Sequence, residues 1–208
     1  MQALAINQYG YFMSILWWEK TVEYFFVQKY VDIDMFIAPL DGNQEKGGDA
    51  IFANESSWIL IEFKRDQESI SSEIKKFTNF SEAKKTLEPK GKHHLIIYGL
   101  EDNDEFHLHS QEYFSEEKID IEKALLVGTN QNNFIDYLKQ LVSFKKQSKS
   151  GSGGYSLVAG ISKTGKVTKC MKIPEFAEAL KFEKALKLKL ENQQEQTNDY
   201  TPPSPGRW

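Results

Sequence analysis

The segment Trp58-Ile59-Leu60-Ile61-Glu62-Phe63-Lys64 sets the tightest limit on what this chain can fold into. It opens on four apolar residues and closes with two charges that alternate with Phe63. A short run that is apolar on both faces has the character of a central strand covered on both sides. Strands of that kind belong to α/β sheets flanked by helices. Side chains alternate across a strand, so Glu62 and Lys64 share one face while Ile61 and Phe63 share the other. A carboxylate and an ammonium therefore stand at the rim of a dry core. An uncompensated charge there costs roughly several kcal/mol.

The flanking segments fit an α/β arrangement around a central mixed sheet. Apolar residues at Ile15, Trp18, Val22, Phe25, Phe26 and Tyr30 follow the helical period and predict a helix over Met13 to Tyr30. Val31 to Leu40 and Asp49 to Ala53 read as strands before the Trp58 run. Ser69 to Leu87 reads as a helix, His93 to Leu100 as a second buried strand and Ile121 to Gly128 as a short further one. Asn133 to Lys146 reads as a helix. Beyond the Gly-rich joint Lys149–Gly154, residues 155–173 predict a hairpin turning at Lys163-Thr164-Gly165. Pro174 then opens a last helix, Glu175 to Leu190. The expected organisation is a core over residues 1–148, a lysine-rich hairpin and helix over 149–190 packed on or extending it, and a polar, Pro-containing tail over 191–208 expected to be disordered.

Composition narrows the function. One cysteine, Cys170, excludes a disulfide framework and a Cys-rich zinc site and fits a reducing compartment. The apolar run Phe12 to Trp18 is neither a secretory signal nor a membrane span, so a cytoplasmic location is expected. The net charge of −4 conceals an asymmetry. Residues 1–137 hold 13 Lys/Arg against 24 Asp/Glu, whereas residues 138–190 hold 12 Lys against 3 Glu. A basic C-terminal third suits an anionic partner.

The chemistry centres on Gly48-Asp49 and Glu62-Phe63-Lys64. A hairpin strand placed beside the Trp58 run brings Asp49 next to Glu62. A divalent ion held by Asp49 and Glu62 compensates the charge, and hard oxygen ligands suit Mg²⁺ or Mn²⁺. Lys64 then faces the reacting water or phosphate.

Asp49, the short hairpin and the strand ending Glu62-Phe63-Lys64 resemble the PD-(D/E)XK, or restriction-endonuclease-like, nuclease superfamily. Gly48 stands where many members carry proline. The resemblance covers residues 13–100 and implies an α-β-β-β-α-β core, hydrolysis of phosphodiesters, in DNA more often than RNA, and a Mg²⁺ or Mn²⁺ cofactor. It also implies a helix-one glutamate at the metal. Glu19 is preferred, and Glu23, one turn on, stays open. In that setting Asp49, Glu62, Lys64 and Glu19 are the expected catalytic residues. The family serves restriction, repair, junction resolution and transposition, so a mobile-element or phage-defence setting is expected. In so small a chain, specificity is expected to come from a homodimer or a partner protein.

The nucleic-acid grip is expected from Arg65 at the strand end, Lys75 on the next helix, and Lys145, Lys146, Lys163, Lys166, Lys169 and Lys172 in the basic third. Positions 166, 168, 170 and 172 would share one hairpin face. Lys76 is expected on a solvated helix face beside Glu73. The lysines around Cys170 are of a kind that lowers a thiol pKa. His93-His94 and His107/His109, without cysteine in range, do not make a zinc site. A second function class is a non-catalytic nucleic-acid-binding or assembly subunit of the same fold. It would work through the lysine-rich hairpin and the last helix, with Phe176, Ala179, Leu180 and Phe182.

Overall fold

A computed structural model of the chain describes residues 16–32, 57–146 and 156–181. Its centre is a mixed five-stranded sheet, built from β1 (Ser57–Lys64), β2 (His94–Asp102), β3 (Glu105–Glu112), β4 (Ser156–Ile161) and β5 (Val167–Lys172). The spatial order is β3-β2-β1-β4-β5. β1 is the middle strand, parallel to β2 and antiparallel to β4. The parallel step requires a crossover, which runs through a 3₁₀ segment (Glu68–Lys76) and helix α2 (Phe80–Leu87). Helix α1 (Glu19–Tyr30) precedes the sheet, and α3 (Ile121–Ala124) and α4 (Gln131–Phe144) follow β3. Residues 173–181 form the helical segment α5.

The alternation of β1 sorts the core into two layers. Ile59, Ile61 and Phe63 pack with Val22 and Phe26 of α1, Leu95 and Ile97 of β2, and Ile121 and Ala124 of α3. Trp58 and Leu60 pack on the opposite face with Ala83 and Leu87 of α2, Phe134, Tyr137 and Leu141 of α4, and Phe176 of α5. Each fully buried Val, Leu, Ile or Phe among them contributes roughly 1.5–3 kcal/mol. The charged end of β1 lies on this second face, beyond Leu60.

Several segments depart from expectation for local reasons. The first helix begins at Glu19, not Met13 (residues 13–15 lie outside the described chain), with Trp18 extended at the N-cap position. The single helix expected over Ser69 to Leu87 is broken in two. Ser69, Ser71 and Ser72 hydrogen-bond Asp66 or nearby carbonyls and draw the first half into a tight 3₁₀ turn. Phe77 then pairs with Lys145, and Asn79 caps α2 by accepting from the Glu82 N–H. The stretch from Ile121 is helical, not a strand, because Asp120 accepts from the N–H groups of Glu122 and Lys123. The strand that follows β2 comes earlier. Asn103 (φ 52°) and Asp104 (φ 61°) form a two-residue turn of the type that favours hairpins, and β3 returns at once beside β2.

The lysine-rich hairpin is part of the sheet. β4 pairs with β1 from Ser57 to Glu62, and β5 pairs with β4. Gly165 supplies the positive φ (79°) for the hairpin turn. Both edges of β1 thus carry partners, β2 on one side and β4 on the other. The position expected for the strand bearing Asp49 is held by β4, because 94 residues of chain separation prove no obstacle to Ser156 pairing with Glu62. Asp49 and the predicted strands over 33–40 and 49–53 lie outside the described residues, as do the Gly-rich joint and the tail.

Candidate functional site

The two charges of β1 remain buried. Glu62 is wholly buried and Lys64 is 4% exposed. Register supplies the first partner of Glu62, since Ser156 of β4 stands opposite it and its hydroxyl donates to Oε1 at 2.6 Å. Lys145, at the C-terminal end of α4, donates to the same oxygen at 3.0 Å. Among the described residues, Glu62 Oε2 has no hydrogen-bond partner. Burial, the largest single influence, pushes the Glu62 carboxyl upward. Lys145, Lys76 and the Ser156 hydroxyl outweigh it and hold the group below the usual carboxylate range.

Lys64 is held by the crossover. Its ammonium lies 2.5 Å from Glu73 Oε1 and 3.2 Å from the Ser72 hydroxyl. Lys76 reaches the same Glu73 oxygen at 2.7 Å, and Tyr113 donates its hydroxyl to Glu73 Oε2 at 2.7 Å. Burial pushes the Glu73 carboxyl up, as does Glu62, but the ammoniums of Lys76 and Lys64 bring it below its ordinary value. The Tyr113 phenol is pushed far above its usual range by burial and by Glu73.

Helix α1 closes the arrangement. Glu19 is the first residue of the helix, where a carboxylate is favoured by the positive end of the helix dipole. Burial raises its pKa, and it lies within electrostatic reach of Lys64, Lys76, Glu73 and Glu62. Glu23 instead pairs with Lys20 at 2.6 Å. Of the two helix-one candidates, Glu19 feels the charges at the end of β1 and Glu23 stands in a helix-face pair.

Glu62, Glu73 and the ammoniums of Lys64, Lys76 and Lys145 therefore meet at the carboxyl end of β1, alongside the middle of the parallel strand β2, and α1 starts nearby, where the Trp17 indole donates to the Arg65 carbonyl at 2.6 Å. That is where ligands of open α/β sheets commonly bind. Tyr98, opposite Lys64 in the register, is buried there, and its hydroxyl has no hydrogen-bond partner among the described residues. The charge compensation assigned to a metal ion from the sequence is provided by lysines. Among the described residues, no group of three His, Cys, Asp or Glu side chains is arranged to hold a metal ion. The carboxylate oxygen left open at the end of β1, among the described residues, is Glu62 Oε2.

Other expected site residues fall elsewhere. Lys75 is exposed, and its carbonyl accepts from Lys146 Nζ at 2.9 Å. Lys76 is the inward lysine, not the solvated one, because the 3₁₀ winding turns it with Glu73 toward β1. Lys145, expected on the nucleic-acid surface, reaches Glu62 instead. Arg65 is exposed and bonded to Asp66 at 2.6 Å. Lys163, Lys166 and Lys172 are exposed and Lys169 is half-buried. The expected basic face of β5 is interrupted, since Thr168 is buried with its hydroxyl on the Gly160 carbonyl. Burial, aided by Glu23, raises the Cys170 thiol to about 12, opposite to the shift expected from the neighbouring lysines.

The histidines are structural. His94 Nδ1 bonds the Tyr137 hydroxyl at 2.7 Å and its ring stacks on Tyr113, and burial holds both His93 (to about 4) and His94 down. Phe176, a candidate docking residue, is consumed by the core against Trp58 and Phe134, and Leu180 packs on the same cluster. Phe182 lies outside the described residues.

Sequence reasoning missed Glu73, Tyr113 and Ser156 as parts of the site. The signal for Glu73 was its three-residue spacing to Lys76, visible but assigned to solvent. Nothing local marks Tyr113 or Ser156, which arrive through strand register. No helix among the described residues is long and apolar enough to cross a membrane. Comparisons with protein-family models, with curated proteins and with solved structures each gave no match for this chain.

Proposed function

We propose that the chain is a metal-dependent nuclease, hydrolysing phosphodiester bonds in nucleic acid, DNA by preference, at a site of the restriction-endonuclease-like type. The observation that carries the reading is the buried Glu62-Phe63-Lys64 strand end with the start of α1 beside it, where Trp17 donates to the Arg65 carbonyl at 2.6 Å and Glu19 follows two residues on. The parallel β1–crossover–β2 unit also supports a core of that type.

Glu62 and Glu19 are the residues that would hold Mg²⁺ or Mn²⁺, and Asp49 belongs to the same proposal from outside the described residues. Bound there, a divalent ion supplies Lewis-acid polarisation of the phosphate and a more acidic water. The chain's own residues do the rest. Lys64, fixed by Glu73 and Ser72, presents an ammonium to the charge that develops on the phosphate. Lys163, Lys166 and Lys172, with Arg65, hold the flanking phosphates without reading bases. A homodimer or a partner protein supplies specificity.

A second reading is favoured by one observation. Each buried carboxylate of the pair Glu62 and Glu73 is already matched to lysine, as expected of a non-catalytic binding subunit whose charges only hold the fold. The test is cleavage of supercoiled plasmid, linear duplex, single-stranded DNA and RNA in millimolar Mg²⁺ or Mn²⁺. Wild type is compared with Asp49→Ala, Glu62→Gln and Lys64→Met. Metal-dependent cutting that falls at least about 100-fold in the variants supports the nuclease. Absence of cutting by wild type on every substrate, with salt-sensitive binding intact, supports the second reading.

A further inference from the structure

We propose that Lys145 is the resident counter-ion of Glu62, and that a divalent cation enters this site only by displacing the Lys145 ammonium, so that Lys145 sets the metal affinity. The inference rests on the metal-dependent reading above. It starts from charge balance. Two carboxylates, Glu62 and Glu73, already face three ammoniums in a region where Glu62, Glu73 and Lys64 are almost wholly buried, so among the described residues the cluster carries no negative excess. Adding two positive charges without removing one leaves a buried excess, which a low-dielectric interior penalises strongly. One ammonium must leave.

The geometry selects which one. Lys64 and Lys76 both sit on Glu73, whereas Lys145 alone among the three bonds the Glu62 carboxylate. Glu62 keeps its other oxygen, wholly buried, without a hydrogen-bond partner among the described residues. Lys64 is trapped at 5% side-chain exposure, but Lys145 retains 22% and can withdraw its ammonium to water. Its backbone need not move. The Lys145 N–H is held at the end of α4, Phe77 pairs with it, and the neighbouring Lys146 N–H donates to the Lys76 carbonyl at 2.9 Å. The main chain is pinned while the side chain swings, an arrangement suited to a replaceable cation.

The test is Mn²⁺ binding to the full chain without nucleic acid, by calorimetry and by loss of the free-ion electron paramagnetic resonance signal. Wild type is compared with Lys145→Met, Lys145→Gln, Lys146→Met and Glu62→Gln, each checked for folding by thermal melting. Lys145→Met and Lys145→Gln are expected to bind Mn²⁺ at least about tenfold more tightly than wild type, since a charge-assisted hydrogen bond no longer competes. Lys146→Met removes one nearby exposed charge and is expected to change affinity less than about twofold. Glu62→Gln is expected to abolish the site. The Lys145→Gln side chain keeps a hydrogen-bond donor for Glu62, so that variant serves should Lys145→Met not fold. Equal or weaker binding in the Lys145 variants, or an equal gain in Lys146→Met, overturns the inference while wild-type cleavage keeps the nuclease reading. Mn²⁺ bound by none of the proteins overturns both.

Discussion

Ile61 and Glu62 are chain neighbours, both without solvent exposure, yet they lie in two different kinds of interior. Ile61 faces α1 and α3 among aliphatic and aromatic side chains, and removing water is what stabilises that layer. Glu62 faces the crossover and α4, where every buried carboxylate needs ammonium or hydroxyl partners to be tolerated. The first layer tolerates any residue of suitable volume. The second is cohesive only as a set, because breaking one partnership strands the other member in low dielectric. A fold that needed β1 only as a strand would have no use for the second layer. Its place at the carboxyl end of the central strand agrees with the functional role proposed for it.

The largest expected effects separate the two interiors by rescue. Glu73→Leu strands Lys64 and Lys76 and is expected to lower unfolding free energy by about 3–5 kcal/mol in denaturant titration. The double variant Glu73→Leu/Lys64→Met is expected to recover most of that loss. Phe63→Ala, in the dry layer, is expected to cost about 3–5 kcal/mol as well, through transfer and cavity terms, and no charge change elsewhere rescues it. Failure of the double variant to recover would show that the charged end is not a self-balanced set.

A smaller effect sharpens the comparison from the hydroxyl side. Tyr113→Phe removes a donor to Glu73 and is expected to cost about 1.5–3 kcal/mol in the same titration.

Acid should distinguish the layers in two windows. His93 and His94 are held below their ordinary 6.5 by burial, so the unfolded chain takes up protons there that the folded chain refuses. Stability is therefore lost as pH falls below about 6.5. Glu62 and Glu73 are held below 4.5, so the stability they contribute is present above that value and is lost as pH falls through their lower folded values. Glu19 is shifted the opposite way and contributes a small opposing slope above 4.5. Melting temperature against pH is expected to fall in two steps, and His93→Asn is expected to shrink the upper one, leaving the part due to His94.

The smallest effect lies on the exposed hairpin. Lys163→Gln with Lys166→Gln is expected to leave melting unchanged and to reduce the salt slope of nucleic-acid binding by up to about 0.9 per lost phosphate contact on a duplex. An unchanged slope would place the phosphate contacts elsewhere.

What the chain reveals without a structure follows the same division. Local patterns disclosed β1, β2, α4 and the hairpin turning at Gly165, because continuous apolar runs, a helical period and a turn glycine act within a few residues. The break at Asn79 and the turn at Asn103-Asp104 were also written locally, as capping and left-handed residues, but were overshadowed by apolar periodicity. The candidate site was half visible. Glu62 and Lys64 stand out by type and position and Glu19 entered only through the family resemblance, whereas Ser156 and Lys145 reach Glu62 across 94 and 83 residues. Register over such separations is fixed by the whole sheet, and no short pattern encodes it.

The central claim is that the charges at the end of β1 serve chemistry as well as cohesion. The most direct measurement pairs stability with metal-dependent cleavage in the double variant Glu73→Leu/Lys64→Met, which keeps the interior neutral. The account predicts a folded protein near wild-type stability whose cleavage is reduced at least about 100-fold. A stable double variant that still cuts at the wild-type rate would contradict it.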